Sequence, residues 1–262
     1  MFPGTFASEM LYLIGAGLVA EHLTLKGLEA IKSCGKVYLE CYTSKLIPGN
    51  IELGEFLGKK IQPLSREDVE LKAGALIEEA KKEDVALLVV GDALTATTHT
   101  DLLLRAKNAG CETRVIPGVS IYTVAPGVSG LQVYKFGRST TIVYPEPNYY
   151  PESPYEVVRE NREKGLHTLC LLDVKAGKLM TAREGAKVLM DIAIKRGQGS
   201  EAGKWECVAV CSAGSELQKV YFGKLNAFTR LENNDAPQTL IVLGKLHELE
   251  IEFLEAFAEK IG

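Results

Sequence analysis

No two cysteines stand in a CxxC pair, and the four histidines, at 22, 99, 167 and 247, are scattered along the chain. Zinc and iron sites built from clustered Cys and His ligands are therefore not expected, and no metal is predicted. The six cysteines (34, 41, 111, 170, 207 and 211) are read as buried thiols of a reducing compartment rather than a disulfide scaffold. Long apolar runs are missing too. The longest resemble ALLVV at 86–90, far below the about 20 residues that a spanning helix needs. The opening MFPGTFASE has no basic stretch and no apolar core. It is read as a flexible extension over 1–9 and not as a secretory signal, which points to the cytoplasm. Excess positive charge is also lacking. Thirty Lys and Arg face 34 Asp and Glu, giving a net charge of -4 and a pI near 5.7. Without a dense basic block, electrostatics offers nothing to a nucleic-acid partner. There is no P-loop. Gly118-Val-Ser120-Ile-Tyr122 carries Tyr where a nucleophile elbow needs Gly, so a serine hydrolase is rejected.

What remains is an ordinary globular composition, 46% hydrophobic and 24% charged over 262 residues. That length suits one large or two medium domains. The first part alternates elements. MLYLIG (10–15) reads as a buried strand, and 24–34 as a helix with Leu25, Leu28 and Ile31 on one face. KVYLECY (36–42) is strand-like. Ser65 to Asp68 resembles a capping box opening a helix to about Lys82. Val85–Val90 is a fully apolar strand, and the helix DLLLRAKNAG closes at Gly110 with Thr97 and Thr98 as cap candidates. A short strand follows at 113–116. This βαβαβ pattern predicts a largely parallel sheet with ligands at the carboxyl ends of its strands.

The second part differs. A helix beginning near Val119 is expected to be interrupted by Pro126 and Gly127. Strands are expected at 139–144, 167–173, 206–211, 219–222 and 239–243. Helices are expected at 154–165, at 181–196 behind a Thr181–Glu184 capping box, and at 247–261. The 146–153 and 197–204 segments read as loops. Adjacent strands without a helix between them predict a mixed sheet. The expected domains are thus 1–117 and 118–262.

Few residues carry an obvious chemistry. Gly15-Ala-Gly17 follows a strand without the third glycine of GxGxxG, and Glu40 ends the next strand where a ribose-binding acid would fall. The missing glycine argues against a nicotinamide dehydrogenase, and a tight turn explains GxG equally well. Gly91-Asp92-Ala-Leu-Thr95-Ala-Thr-Thr-His99-Thr is the densest polar cluster. It suits either a small polar ligand or the capping of the next helix. His99 is a catalytic candidate only, and a satisfied structural imidazole is the competing reading. His247-Glu-Leu-Glu-Ile-Glu lacks the second His of HExxH and reads as a solvated acidic helix start.

Several strings together resemble the diphthine synthase family, a branch of the tetrapyrrole-methylase-like methyltransferases. They are MLYLIGAGL, LTLKGLEAIKSCGKVYLECYTS, GDALTATTHTDLLLRAK, VIPGVSI, GLQVYKFGRSTTI, PESPYEVVRENREKGLHTLCLLDV and LIVLGKLHELE, and they span nearly the whole chain after Met10. The resemblance implies two α/β domains, a parallel-sheet one and a mixed-sheet one, with the cofactor in the cleft between them. It implies S-adenosyl-L-methionine as methyl donor, with S-adenosyl-L-homocysteine as product. It implies successive methylation of the amino group on a modified histidine of translation elongation factor 2, a step of diphthamide synthesis, by a homodimer. By motif it assigns cofactor contacts to Leu18, Asp92, Thr95, Ser120, Ile121, Leu171 or Leu172, Cys211 and Gln238.

The departures from the family pattern cluster at these motifs. Ala20 replaces an acid, Ala93 replaces the proline of GDP, Pro117 and Gln238 replace histidines, and Ser212 replaces an arginine. Two other readings follow. One is a tetrapyrrole methyltransferase of the same fold, which the GLQVYKFG and HTLCLLD strings disfavour. The other is a catalytically weak descendant that binds cofactor or elongation factor.

Overall fold

The computed structural model describes residues 9–46 and 50–262, so the extension read over 1–9 lies, Glu9 apart, outside the described residues. The chain divides into two compact units, one ending at Ser120 and one spanning Ile121–Gly262.

The first unit contains β1 (Met10–Gly17), α1 (Leu25–Ser33), β2 (Lys36–Glu40), α2 (Asn50–Leu57), β3 (Ile61–Leu64), α3 (Ala73–Ala80), β4 (Val85–Val90), α4 (His99–Asn108) and β5 (Glu112–Ile116). Its five strands form a parallel sheet in the order β3-β2-β4-β1-β5. The fully apolar β1 and β4 sit inside it, as strands buried on both faces must. Alternation along β1 feeds two cores. Tyr12 and Ile14 pack with Ile31 of α1 and Leu53 of α2. Leu11 and Leu13 pack with Leu76 and Ile77 of α3 and Leu102 of α4. Thr24 caps α1 by accepting the Gly27 N–H at 3.0 Å. The expected Ser65–Asp68 box is present, with reciprocal bonds at 2.9 and 3.3 Å, but a π turn over 67–71 intervenes before α3 begins. Sequence periodicity had offered no sign of α2 or β3. β2 is two residues shorter than expected.

The second unit contains α5 (Ile121–Val128), β6 (Thr140–Ile142), α6 (Ser153–Glu163), β7 (Thr168–Leu172), the hairpin β8 (Val174–Lys175) and β9 (Lys178–Leu179), α7 (Ala182–Lys195), α8 (Gly199–Ala202), β10 (Glu206–Cys211), β11 (Lys219–Lys224), α9 (Leu225–Phe228), β12 (Gln238–Val242), α10 (Glu248–Phe257) and β13 (Glu259–Ile261). Six strands form a mixed sheet in the order β13-β11-β10-β12-β7-β6. The α7 helix covers it through Ala186, Leu189 and Ile192, in one core with Tyr155, Trp205 and Phe228. The Thr181–Glu184 capping box forms as expected and contributes about 1 kcal/mol.

Four expectations fail here. Helix α5 runs through Pro126 instead of stopping at it. Proline lacks one N–H, but Pro126 and its neighbour Ala125 are buried, so packing outweighs one lost bond. The 197–204 loop contains the short helix α8. The last helix ends at Phe257, and residues 259–261 form a strand paired in parallel with β11 at Tyr221–Gly223. Finally, the acidic start of α10 is not wholly solvated. Glu250 is buried against Lys135 and His167 and closes a capping box with His247. Five cysteines are buried as expected, whereas Cys41 is exposed.

Candidate functional site

At the carboxyl edge of the first sheet, backbone packs on backbone. A Cβ on Gly15 would lie 2.5 Å from the Gly118 nitrogen and 2.8 Å from the Gly91 carbonyl oxygen. No real side chain tolerates that, so both positions require glycine. Gly17 and Gly91 exchange two bonds, at 3.0 and 2.8 Å. Their φ values of +78° and +80° lie where other residues are strained. The ends of β1, β4 and β5 are thereby tied together without side chains. From this point β1 leads to α1 on one face and β4 to α4 on the other. Adjacent strands that leave to opposite faces open a crevice at their carboxyl ends, the usual ligand position of such sheets.

Asp92 organises the crevice. Its Oδ1 accepts the N–H groups of Leu94 and Thr95, both at 3.1 Å, and the Thr95 hydroxyl at 2.9 Å. Its Oδ2 accepts the Gly118 N–H at 3.1 Å. Burial works to raise the Asp92 pKa. The Gly118, Leu94 and Thr95 donors overcome it and hold the carboxyl below its ordinary value. Asp92 is thus ionised and bonded to its own loop. Leu18 follows the glycine turn half-buried, with its N–H directed at His22 Nδ1, 3.4 Å away. Ser120 and Ile121 are half-buried at the junction of the two units. Leu18, Asp92, Thr95 and Ser120 therefore share one end of the first unit.

Leu171, Leu172, Cys211 and Gln238 gather at one end of the second sheet. Cys211 and Gln238 are directly paired across β10 and β12. Leu172 packs into the core beside Gly185 of α7. Alternation puts Leu171 on the opposite face, which separates the two positions that the sequence left open. Cys211 is a core thiol, and burial and then Asp235 push its pKa up to about 12. Gln238 is fully engaged. Its Oε1 accepts the Ala182 N–H at 2.7 Å, and its Nε2 donates to the carbonyls of Asn233 and Asp235 at 3.2 and 3.1 Å. For Cys211 and Gln238 the side chains serve the protein itself.

The other candidates are also engaged. Glu40 is buried and accepts from the Thr43 hydroxyl and from the N–H groups of Tyr42 and Thr43, so its carboxylate closes its own loop instead of projecting as a ribose acceptor. His99 is buried, with Nδ1 against the Ala93 carbonyl and Nε2 against the Tyr42 hydroxyl. Thr97 bonds Ala93 and Thr98 bonds Glu70, so neither side chain caps α4. Of the five substituted positions, Ala20, Ala93, Ser212 and Gln238 are buried and Pro117 is exposed. Sequence reasoning missed Gly118 and Tyr42. A glycine just past the carboxyl end of β5 was the available signal for Gly118, whereas Tyr42 lies far from His99 in sequence and gave none. No group of described residues is arranged to hold a metal ion.

A parallel sheet with this crevice, followed in the chain by a mixed-sheet unit, defines a class of ligand-binding α/β enzymes. The profile of the tetrapyrrole (corrin/porphyrin) methylases matches residues 10–229. The diphthine synthase of Methanocaldococcus jannaschii is 44% identical over 96% of this chain and 100% of its own length. That of Methanococcus maripaludis strain C5 is 42% identical with the same coverage. A crystal structure of diphthine synthase superposes with a TM-score of 0.87 at 34% identity, covering 96% of each chain. The chain belongs to the tetrapyrrole methylase family and, within it, to the diphthine synthases.

Proposed function

We propose that the protein transfers methyl groups from S-adenosyl-L-methionine to the amino group of the modified histidine of translation elongation factor 2, in diphthamide synthesis. The observation that carries this reading is similarity that spans both units, 44% identity over 96% of this chain and 100% of the relative.

The residues present suit the cofactor. The crevice presents backbone groups, apolar Leu18 and one ionised carboxylate, Asp92. The assigned set contains no Lys or Arg, as a phosphate would demand. A cationic adenosyl ligand without a phosphate matches that donor set. When bound, the cofactor supplies a methyl group made electrophilic by its sulfonium. The protein's task is then to hold and orient. Asp92 fixes the 92–95 turn, Gly15 and Gly118 allow close backbone approach, and Leu18 and Leu171 supply apolar contact. By the family resemblance, Ser120, Ile121, Cys211 and Gln238 are the further residues assigned to the cofactor. Leu172 serves the core. Rate follows from placing the acceptor amine in line, at about 3–3.5 Å, with water excluded, so no general base is assigned. The 147–154 and 197–204 segments are suited by polar composition to meet a protein acceptor. The protein acts as a homodimer in the cytoplasm. Among the described residues no helix is long and apolar enough to cross a membrane.

The test is intact mass spectrometry of elongation factor 2 bearing the unmethylated diphthamide precursor, incubated with the protein and S-adenosyl-L-methionine. A ladder of methyl additions is expected, and its length counts the transfers. An unchanged mass alongside measurable cofactor binding would leave a non-catalytic binder and overturn the assignment.

A further inference from the structure

Behind the Asp92 turn lies a second polar set that methyl transfer itself does not use. His99, the first residue of α4, is buried. Its Nδ1 is 3.1 Å from the Ala93 carbonyl oxygen. A carbonyl only accepts, so Nδ1 carries the proton. Nε2 is then the acceptor of a hydrogen bond that the Tyr42 hydroxyl donates at 3.2 Å. The two rings meet edge-on, 6.4 Å between centroids at 67°. The Thr97 hydroxyl gives the Ala93 carbonyl a second bond at 3.0 Å. Tyr42 is fixed in turn. The Arg66 guanidinium lies 5.3 Å from its ring centroid, and Glu40 accepts its backbone N–H at 3.3 Å.

Ala93 is the residue on which this set converges. It is buried between Asp92, which bonds four donors, and the Leu94–Thr95 N–H groups that Asp92 accepts. Three residues on, Ala96 has φ +57°, a conformation that costs a non-glycine residue about 1–2 kcal/mol. A turn with such a residue keeps its shape only where its surroundings over-determine it. Asp92 secures the turn from within, and His99 secures it from the helix beneath.

We propose that His99 is a positioning residue of the methyl-transfer site, holding the 92–95 turn in its cofactor-accepting form through the Ala93 carbonyl, which sets its tautomer, with Tyr42 holding the other ring nitrogen. The inference rests on the reading above that this turn receives the cofactor. It separates His99 from acid–base chemistry, because both ring nitrogens are committed to protein groups. It also gives the Glu40 loop a purpose, since that loop carries Tyr42.

Three variants test it: His99→Ala, His99→Asn and Tyr42→Phe. Asparagine places an N–H where Nδ1 stands, so it restores the bond to Ala93. His99→Ala is expected to raise the KM for S-adenosyl-L-methionine about tenfold with little change in kcat, as the loss of one buried hydrogen bond implies. His99→Asn is expected to stay within about threefold of the parent, and Tyr42→Phe to fall between. Hydrogen exchange at the Leu94 and Thr95 amides is expected to quicken in the same order. Should His99→Ala not fold, the two conservative variants decide. A lower melting temperature without change in KM or amide exchange would reduce His99 to core packing and overturn the proposal. Absence of S-adenosyl-L-methionine binding by the parent protein would defeat the functional reading instead, and the amide exchange would still decide whether His99 holds the turn.

Discussion

Two buried ionisable residues, His167 and Glu250, decide how the second unit answers to acid. His167 Nδ1 accepts the Gly244 N–H at 3.0 Å, so Nε2 carries the proton and donates to Glu250 Oε1 at 3.3 Å. Burial lowers the His167 pKa below its ordinary 6.5, and the attraction of Glu250 does not overcome it. Glu250 has burial against it as well, but Lys135 and the N–H groups of Gln132 and His247 bring it down to about 2. Both shifts make the unfolded chain take up protons first as pH falls. For His167 the loss of stability begins as pH drops through about 6.5. For Glu250 stability is fully present above about 4.5 and is lost as pH falls toward 2, with about 3 kcal/mol at stake. The melting temperature is therefore expected to decline in two stages. In His167→Gln, which cannot titrate, circular dichroism should show the first stage flattened between pH 7 and 5.5 and the second retained. A parent melting temperature that is level across pH 7 to 5.5 would refute the assignment. None of this was legible in the sequence. His247-Glu-Leu-Glu reads as a solvated helix start, because the burial of Glu250 is imposed by Lys135 and His167, over 80 residues away in the chain.

At the scale of elements, the glycine contact between β1 and the turn after β5 sets the strictest demand. A Cβ on Gly118 would lie 2.6 Å from the Gly15 carbonyl carbon, with backbone on every side. Backbone cannot rotate away as a side chain does, so the strand ends would have to part. Gly118→Ala is expected to cost about 3 kcal/mol in urea denaturation, the upper part of the overpacking range, and to weaken cofactor binding with it. An alanine variant of parental stability would mean that the strand ends are slack. Gly110 gives the contrast, since nothing stands within 4 Å of a Cβ there and only its φ of +73° objects. The parallel sheet was legible because β1 and β4 are continuous apolar runs ending in glycine, and the α7 start because Thr181 and Glu184 stand at capping-box spacing. The exceptions arise from tertiary context. Pro126 stays helical where it is buried, and residues 259–261 and 61–64 pair with β11 and β2, strands remote in sequence. The candidate site divides in the same way. Its assigned residues lie at two sheet ends, but the carboxylate of Asp92 and the amide of Gln238 are bonded to the protein, which spacing alone does not reveal.

On the scale of the whole molecule, each unit owns the features that a folding domain requires. The second has a six-stranded sheet, covered by α7 and α6, and a core that joins Tyr155, Leu189, Trp205 and Phe228. Tyr155 and Trp205 stack with centroids 5.3 Å apart, and the Arg162 guanidinium lies 5.1 Å from the indole centroid on the same cluster. Both edge pairs of this sheet are parallel, β11 with β13 and β7 with β6, around an antiparallel centre. A unit with its own sheet, helices and core is of a size that folds alone. Residues 121–262 expressed by themselves are therefore expected to give a cooperative thermal transition and a mixed α/β circular dichroism spectrum. They are also expected to bind no S-adenosyl-L-methionine, because Leu18, Asp92, Thr95 and Ser120 belong to the other unit. The two readouts separate the causes. A fragment that unfolds without cooperativity would show that the second core depends on the first unit. A folded fragment that binds the cofactor with full affinity would place the binding determinants at the Leu171 and Cys211 end alone and strip the Asp92 turn of its role.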